Sequence, residues 1–439
     1  MTRKKNQFSG FNFTREMIPS GGDNCILADY RSRSWDDFES IPYPTMQDEP
    51  WRRTDIRELN SNFRLPEAGA YRDLPSIPGK LLSPLVSDQH GGRIILLPGG
   101  VTKDINPALS GRGVIFTDFE TASRNHANQL QQALGQVVAP SEGKFAALTS
   151  ALARNGVFVY VPKGVRVEQP LHSLMWAAGA ELAHFSHLLI WLEDDASLTY
   201  VHESASPDGL AGQTLHGGVV EIHLGANANL HFIELQSLGD NVWNFVRKRA
   251  RVERDGNIDW VFGAIGSRLT KDFSDLDLVG EGAAGRVSGF YFADGVQHLD
   301  HDTQQNHKAA HTSSDLLFKG ALKGNSRSVW QGMINVAPGA QQTDGYQANR
   351  NLLLDNKSRA DSIPGLEILA DDVRCTHGAT VGQIDPELIF YLRSRGIPMM
   401  DAERLVVEGF FDAIMQRIPF DGVCARFHAA IREKMGLRI

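Results

Sequence analysis

Near the carboxy-terminal end, the stretch DDVRCTHGAT sets Cys375 and His377 two residues apart, just after the acidic pair Asp371 and Asp372. A thiolate and an imidazole are both ligands for iron or zinc, and on an extended strand positions i and i+2 reach the same side. Val373, Cys375, His377 and Ala379 would then face one way. Two ligands do not complete a tetrahedral site, which needs about four, and neither Cys25 nor Cys424 has a ligand beside it in the sequence. The same pair also suits ordinary packing, as a small buried hydrophobe next to a hydrogen-bonded histidine. It reads either as core or as an incomplete site that a second subunit finishes.

A second group is QHLDHDTQQNHKAAHTSSD, with His298, His301, His307 and His311 inside fourteen residues alongside Asp300 and Asp302. These would be the ligands of a free-standing metalloenzyme, yet no H-E-x-x-H is present and strand alternation would scatter them over two faces. Structural or interfacial hydrogen bonding is the reading preferred for them, and His202 and His216 are expected to be turn or surface groups. The acidic pairs Asp194/Asp195, Asp300/Asp302 and Asp371/Asp372 would serve a polysaccharide-active enzyme. Such a substrate calls for secretion, and MTRKKNQFSGFNFTREM has no apolar core or cleavage pattern of a signal peptide. The segment GEGAAG, Gly280–Gly285, satisfies G-x-G-x-x-G but runs into another strand pattern, so no helix N-terminus is there to hold a pyrophosphate. There is no G-x-x-x-x-G-K-[ST] either, so any ATP must be held by a different chain.

The elements that must position these residues change character along the chain. With 439 residues, a net charge of −8 and 22% charged residues, the composition is that of a soluble globular protein without a basic nucleic-acid footprint. Three widely spaced cysteines form no disulfide framework, which points to a reducing, cytoplasmic setting, and no apolar run is long enough to span a membrane. Residues 1–156 mix proline-rich joints with helices expected in TDFETASRNHANQLQQALG and SEGKFAALTSALARNG. Residues 157–384 are short runs of Val, Ile, Leu and Phe with strand alternation. Turn signals at Gly164, Asp195, Gly225, Gly256 and Gly282 recur at intervals of 31, 30, 31 and 26 residues. That period fits two rungs of a β-helix, or a pair of hairpins, per unit, with a sandwich or large barrel as the competing architecture. Residues 385–439 read as three helices, PELIFYLRSRG, DAERLVVEGFFDAIMQRIP and DGVCARFHAAIREKMG. In the second, adjacent Phe410 and Phe411 lie about 100° apart on the helix and do not both enter one core, so they, with Ile414 and Met415, are expected to meet a partner.

NRNLLLDNKSRADSIPGLEILADDVRCTHGATVGQIDPELIFYLRSRGI closely resembles the carboxy-terminal signature of the SufB/SufD family of iron–sulfur cluster assembly proteins, in its wording most like the SufD branch. The likeness extends to KFAALTSALARNGVFVYVPKGV, QHLDHDTQQNHKAAHTSSDLLFKGAL and EPWRRTDIREL, and so to nearly the whole chain. It implies a mainly β fold, a right-handed β-helix core flanked by amino- and carboxy-terminal helical regions. It further implies a non-catalytic scaffold subunit of a SufBCD complex, working with a SufB-like paralogue and the ABC-type ATPase SufC, which supplies the ATP site, and passing clusters to apoprotein acceptors. By the resemblance, Cys375 and His377 contribute to a transient iron–sulfur cluster at the SufB/SufD interface, while the isolated chain holds no cofactor tightly and can pair as a homodimer. Residues 385–439 are then the SufC-binding segment.

Overall fold

The computed structural model describes residues 8–20, 25–86 and 89–436, with the side chain of Cys25 outside the described part. From Val157 to Gln383 the chain is an unbroken series of strands. Successive strands alternate between a ten-stranded and a nine-stranded sheet, and within each sheet every strand lies parallel to the strand two places along the chain. This is a flattened β-solenoid of about eight turns. A coil takes 27 residues from Asn257 to its partner Ala284, 29 from Leu269 to His298, and 32 from Arg327 to Arg359. The repeat in the sequence is thus one coil of two strands, rather than two rungs or two hairpins.

One corner shows why the period was visible. Gly164, Asp195, Asn227, Asp255, Gly282, His311 and Gln342 all have positive φ, between 56° and 71° except 74° at Gly282. These are the residue types that tolerate the left-handed region best, apart from the glutamine. Each N–H in this column bonds a carbonyl of the next coil, as from Asp195 to Ala226, Asn227 to Arg254 and His311 to Gln341. GEGAAG holds a corner of this kind at Gly282, and its last two residues already open the strand Ala284–Ala293.

Inside the coils runs an aromatic ladder in which Phe232 lies 6.3 Å from Tyr200 and 5.5 Å from Trp260. Buried polar side chains share this interior. Lys248 is fully buried between Glu234 at 2.9 Å and Asp272 at 2.6 Å, with the Phe262 ring beneath it. Burial opposes its charge, but the two carboxylates outweigh that and raise its pKa above the ordinary lysine range.

The outer face of the nine-stranded sheet is covered by the amino-terminal region, and that of the ten-stranded sheet by the carboxy-terminal helices together with Leu74, Ile77, Leu81 and Leu82, which pack on Leu174, Trp176 and Ala205. The amino-terminal region lays Trp35, Phe38, Phe63, Phe145 and Leu148 over Leu215, Trp243, Phe245 and Leu269 of the nine-stranded sheet. Its helices are Cys25–Ser40, which sequence pattern missed, Phe119–Asn125 and Ala127–Ala133 in place of one longer helix, and Lys144–Leu152. Asp118 caps the second by accepting from the Thr121 amide, and the chain breaks at His126. Of the carboxy-terminal helices Pro386–Ser394, Met399–Met415 and Asp421–Lys434, the last two pack along the ten-stranded sheet, with Phe290 3.9 Å from Phe427, and the first packs against Met399–Met415. They cover a side of the solenoid and do not close its end.

Replacing Lys248 by Met removes the cation and leaves Glu234 and Asp272 buried together. The expected loss of folding stability is about 3–5 kcal/mol, read as a lowered urea midpoint, and a loss below about 1 kcal/mol would show that the pair does not rely on the lysine.

Candidate functional site

The two ends of the solenoid differ. At the first coil, antiparallel pairing of Gly92–Leu97 with Gly100–Ile105, and of Ile115–Asp118 with Val157–Val161, finishes the sheets. At the other end, Val373–Gln383 pairs only with Thr343–Leu353, and Arg359–Ile368 only with Arg327–Val336. Their outer backbone edges have no strand partner among the described residues, and such edges are ready to accept another chain.

Cys375 and His377 lie on this last strand. In register Cys375 stands over Gly345 and His377 over Gln347, and both Gly345 and Gln347 are buried. They therefore occupy the inward-facing column of the coil, as strand alternation predicts. His377 is exposed only because no further coil lies above it. Beside them the terminal coil leaves Leu366, Ile368, Leu369 and Val381 exposed, none of which sequence reasoning singled out. Their signal was a strand-like apolar alternation with no later strand to cover it.

Cys375 is half-buried and packs against the small cluster of Ile334, Val336, Ala340 and Ala370. Burial pushes its thiol pKa upward, and the nearby Asp344 adds to the effect. A Cβ at Gly345 would stand 3.2 Å from the Cys375 sulfur and 3.5 Å from His307 Nε2, so the glycine leaves room between a thiol and an imidazole. His307 is already held by Thr312 at 2.8 Å through Nδ1 and Ser314 at 2.9 Å through Nε2. No group of three or more metal-ligating side chains forms among the described residues, so the chain brings Cys375 and His377 to one face without assembling a cage.

The other histidines separate as alternation requires. His301 is interior, its ring 5.0 Å from Phe262, and His307 is interior too. His298 points outward, 2.9 Å from Thr54 of the amino-terminal region, and His311 is an exposed corner residue. Asp300 is fully buried against Lys271 at 3.0 Å, which leaves no groove for paired catalytic carboxylates there. His202 and His216 are not turn or surface groups. Both are buried inside the solenoid, His202 2.8 Å from Ser173 and His216 2.6 Å from Asn244. Burial lowers their pKa values to about 3 and about 4, so both rings are neutral. Short polar runs such as YVHES hide the fact that the interior itself is polar.

The carboxy-terminal helices also require a correction. Phe411, Ile414 and Met415 are buried in the cluster against the ten-stranded sheet, so they hold the helix down and present nothing to a partner. Phe410 is half-buried at the edge, with the Lys319 ammonium 4.7 Å from its ring centre. The 100° separation of the two phenylalanines is real, but the solenoid wall is broad enough to receive both. Exposed apolar surface lies instead on Leu388, Phe390 and Tyr391 of the helix Pro386–Ser394 and on Met399, Met400 and Leu405. In that first helix Ile389 alone is buried, a surplus of apolar residues legible in PELIFYLRS.

The family model described as the SUF system FeS cluster assembly SufBD core domain matches residues 175–410. The chain belongs to the SufBD family of iron–sulfur cluster assembly proteins. The family's amino-terminal region matches residues 1–172. An iron–sulfur cluster assembly SufBD family protein of Staphylococcus epidermidis is 32% identical over 321 residues, 73% of this chain and 69% of that protein. One from Staphylococcus aureus is 28% identical over 429 residues, 93% of this chain and 90% of its own length. Within the SufBD core match lie the open terminal coil and the first turns of the helical layer.

Because their thiol pKa values are raised by burial, Cys375 and Cys424 should react with a disulfide reagent at pH 7.5 more slowly than a free cysteine does, and speed up with rising pH. Time-resolved thiol titration of Cys375→Ser and Cys424→Ser assigns the phases, and a Cys375 rate at or above that of the free amino acid contradicts the packing described.

Proposed function

We propose that this protein is a non-catalytic scaffold subunit, SufD-like, that joins a SufB-like paralogue through the open end of its solenoid and supports cluster assembly at that junction. The observation that carries the reading is the uncovered inward-facing His377 on a strand whose outer edge has no partner among the described residues. A second solenoid laid on this edge would continue both sheets, cover Leu366, Ile368 and Val381, and bring its own ligands opposite His377. The nascent iron–sulfur cluster is cargo in this scheme. His377 supplies one neutral imidazole ligand, Cys375 is the weaker second contributor, and the partner supplies the rest before transfer to apoproteins. A second copy of this chain can satisfy the same edge in the absence of the paralogue.

ATP enters through the ABC-type ATPase SufC, which in this reading docks on the exposed apolar surface of Leu388, Phe390, Tyr391, Met399 and Met400. Movement of that helical layer reaches the sheet through discrete straps. Lys319 donates to the Phe410 carbonyl, Arg417 meets Asp315 at 3.0 Å, and Arg426 meets Glu203 at 3.0 Å. Among the described residues no helix is long and apolar enough to cross a membrane, and the proposed place of work is the cytoplasm.

His377→Ala should leave folding and association intact while lowering the cluster formed per assembled complex, measured by iron and sulfide content and visible absorption after reconstitution. An unchanged yield removes His377 from the site. Phe390→Ala should weaken binding of the ATPase by about 2 kcal/mol or more, as expected for an aromatic anchor, with little change in thermal stability. Gentle purification from native cytosol that returns a lone chain, with neither paralogue nor ATPase, would overturn the scaffold reading.

A further inference from the structure

At the end opposite the open coil, a cavity of about 320 Å³ opens between the amino-terminal region and the first coil. Its wall is mainly apolar and includes Val101, Leu152, Met175 and Phe185, with His184 and Arg154 among the few polar groups. The volume falls within the range of small-molecule sites, which join an apolar lining to a few fixed polar atoms.

The topology explains why a polar atom of the solenoid interior meets this space. His184 pairs in register with His216, an interior residue, but the first-coil strand Val157–Val161 reaches only Leu188–Leu192. No strand of the nine-stranded sheet lies over His184 on that side. His184 is 94% buried, its ring donates to the Ala178 carbonyl, and among the described residues Nε2 has no partner. With one nitrogen committed as donor, Nε2 is an acceptor. Desolvation and the neighbouring His216 hold the ring neutral, with a pKa of about 3. A buried acceptor without a donor is costly, and a ligand N–H or O–H would satisfy it.

The charge at the cavity supplies a second constraint. Glu120 is engaged by Arg124 at 3.6 Å, whereas among the described residues no carboxylate lies within ion-pair distance of the exposed Arg154 guanidinium.

We propose that this cavity binds a small amphipathic monoacid, with an aromatic or aliphatic body against Leu152 and Met175, an N–H or O–H donor for His184 Nε2, and an anionic group for Arg154. The site is separate from the open end, and the proposal stands whether or not His377 serves in cluster assembly.

The probe is 8-anilinonaphthalene-1-sulfonate, which carries an aromatic body, one N–H and one anionic group, titrated by fluorescence against the full chain. One saturable site per chain is expected. Its Kd should rise about tenfold or more when Val101→Trp or Met175→Trp fills the cavity, and about three- to tenfold in His184→Phe and in Arg154→Gln. Val101 is only half-buried, so its variant keeps the test valid if Met175→Trp fails to fold. Leu369→Glu, at the distant open end, should leave the titration unchanged. Absence of saturable binding, or equal curves for all variants, overturns the site. Loss with the cavity-filling variants but not with His184→Phe and Arg154→Gln overturns the assigned ligand class and leaves an apolar pocket only.

Discussion

The coils of this protein satisfy their strand amides and carbonyls mainly through the coils above and below. That single constraint organises the chain. It forces the parallel stacking of two sheets, the corner column in which one residue per coil takes positive φ, and the need to finish each end. One end is finished internally by antiparallel strands. The other is left with two unpaired edges, and the Cys375–His377 strand is one of them.

A parallel sheet needs cover on both faces. The inner faces cover each other, and the outer ones are covered by the terminal regions, the carboxy-terminal helices on the ten-stranded sheet and amino-terminal segments on both. The interior is mixed throughout. Aliphatic and aromatic ladders share it with buried polar residues, His202 and His216 in the early coils, Glu234, Lys248 and Asp272 in the middle ones, and His301, His307, Gln347 and Asn349 toward the open end. Buried polar residues specify register more sharply than apolar ones because a one-residue slip strands all of their partners. The last coils, which must present side chains at defined positions on an open face, carry such residues in His307, Gln347 and Asn349.

Much of the architecture was legible in the residues. Strand alternation, corner residues near a 30-residue spacing and the three carboxy-terminal helices were all readable, since they rest on local backbone preference. Alternation also placed Cys375 with His377 on one face and parted His301 and His307 from His298. What local pattern does not carry is which face meets which. His202 and His216 look like surface groups until a polar interior receives them, and Phe411 looks like a partner contact until a wide sheet wall lies under it. The exposure of His377 is a fact about the absence of a next coil and has no signature in DVRCTHGAT itself. The long helix Cys25–Ser40 escaped notice because its apolar residues, Trp35 and Phe38 among them, are sparse and set between charges.

The one-way stacking also has a consequence in time. Chains leave the ribosome amino-terminus first, at about 5–20 residues per second, so a 30-residue coil emerges roughly every 2–6 s. The region that finishes the first end exists before any coil needs it, and each new coil finds a completed template to pair with. The strand bearing Cys375 and His377 is made last among the strands, on a column already built, and the helices of residues 386–434 follow it. The face left open is thus the youngest surface of the solenoid, exposed to other chains for the shortest time before synthesis is complete.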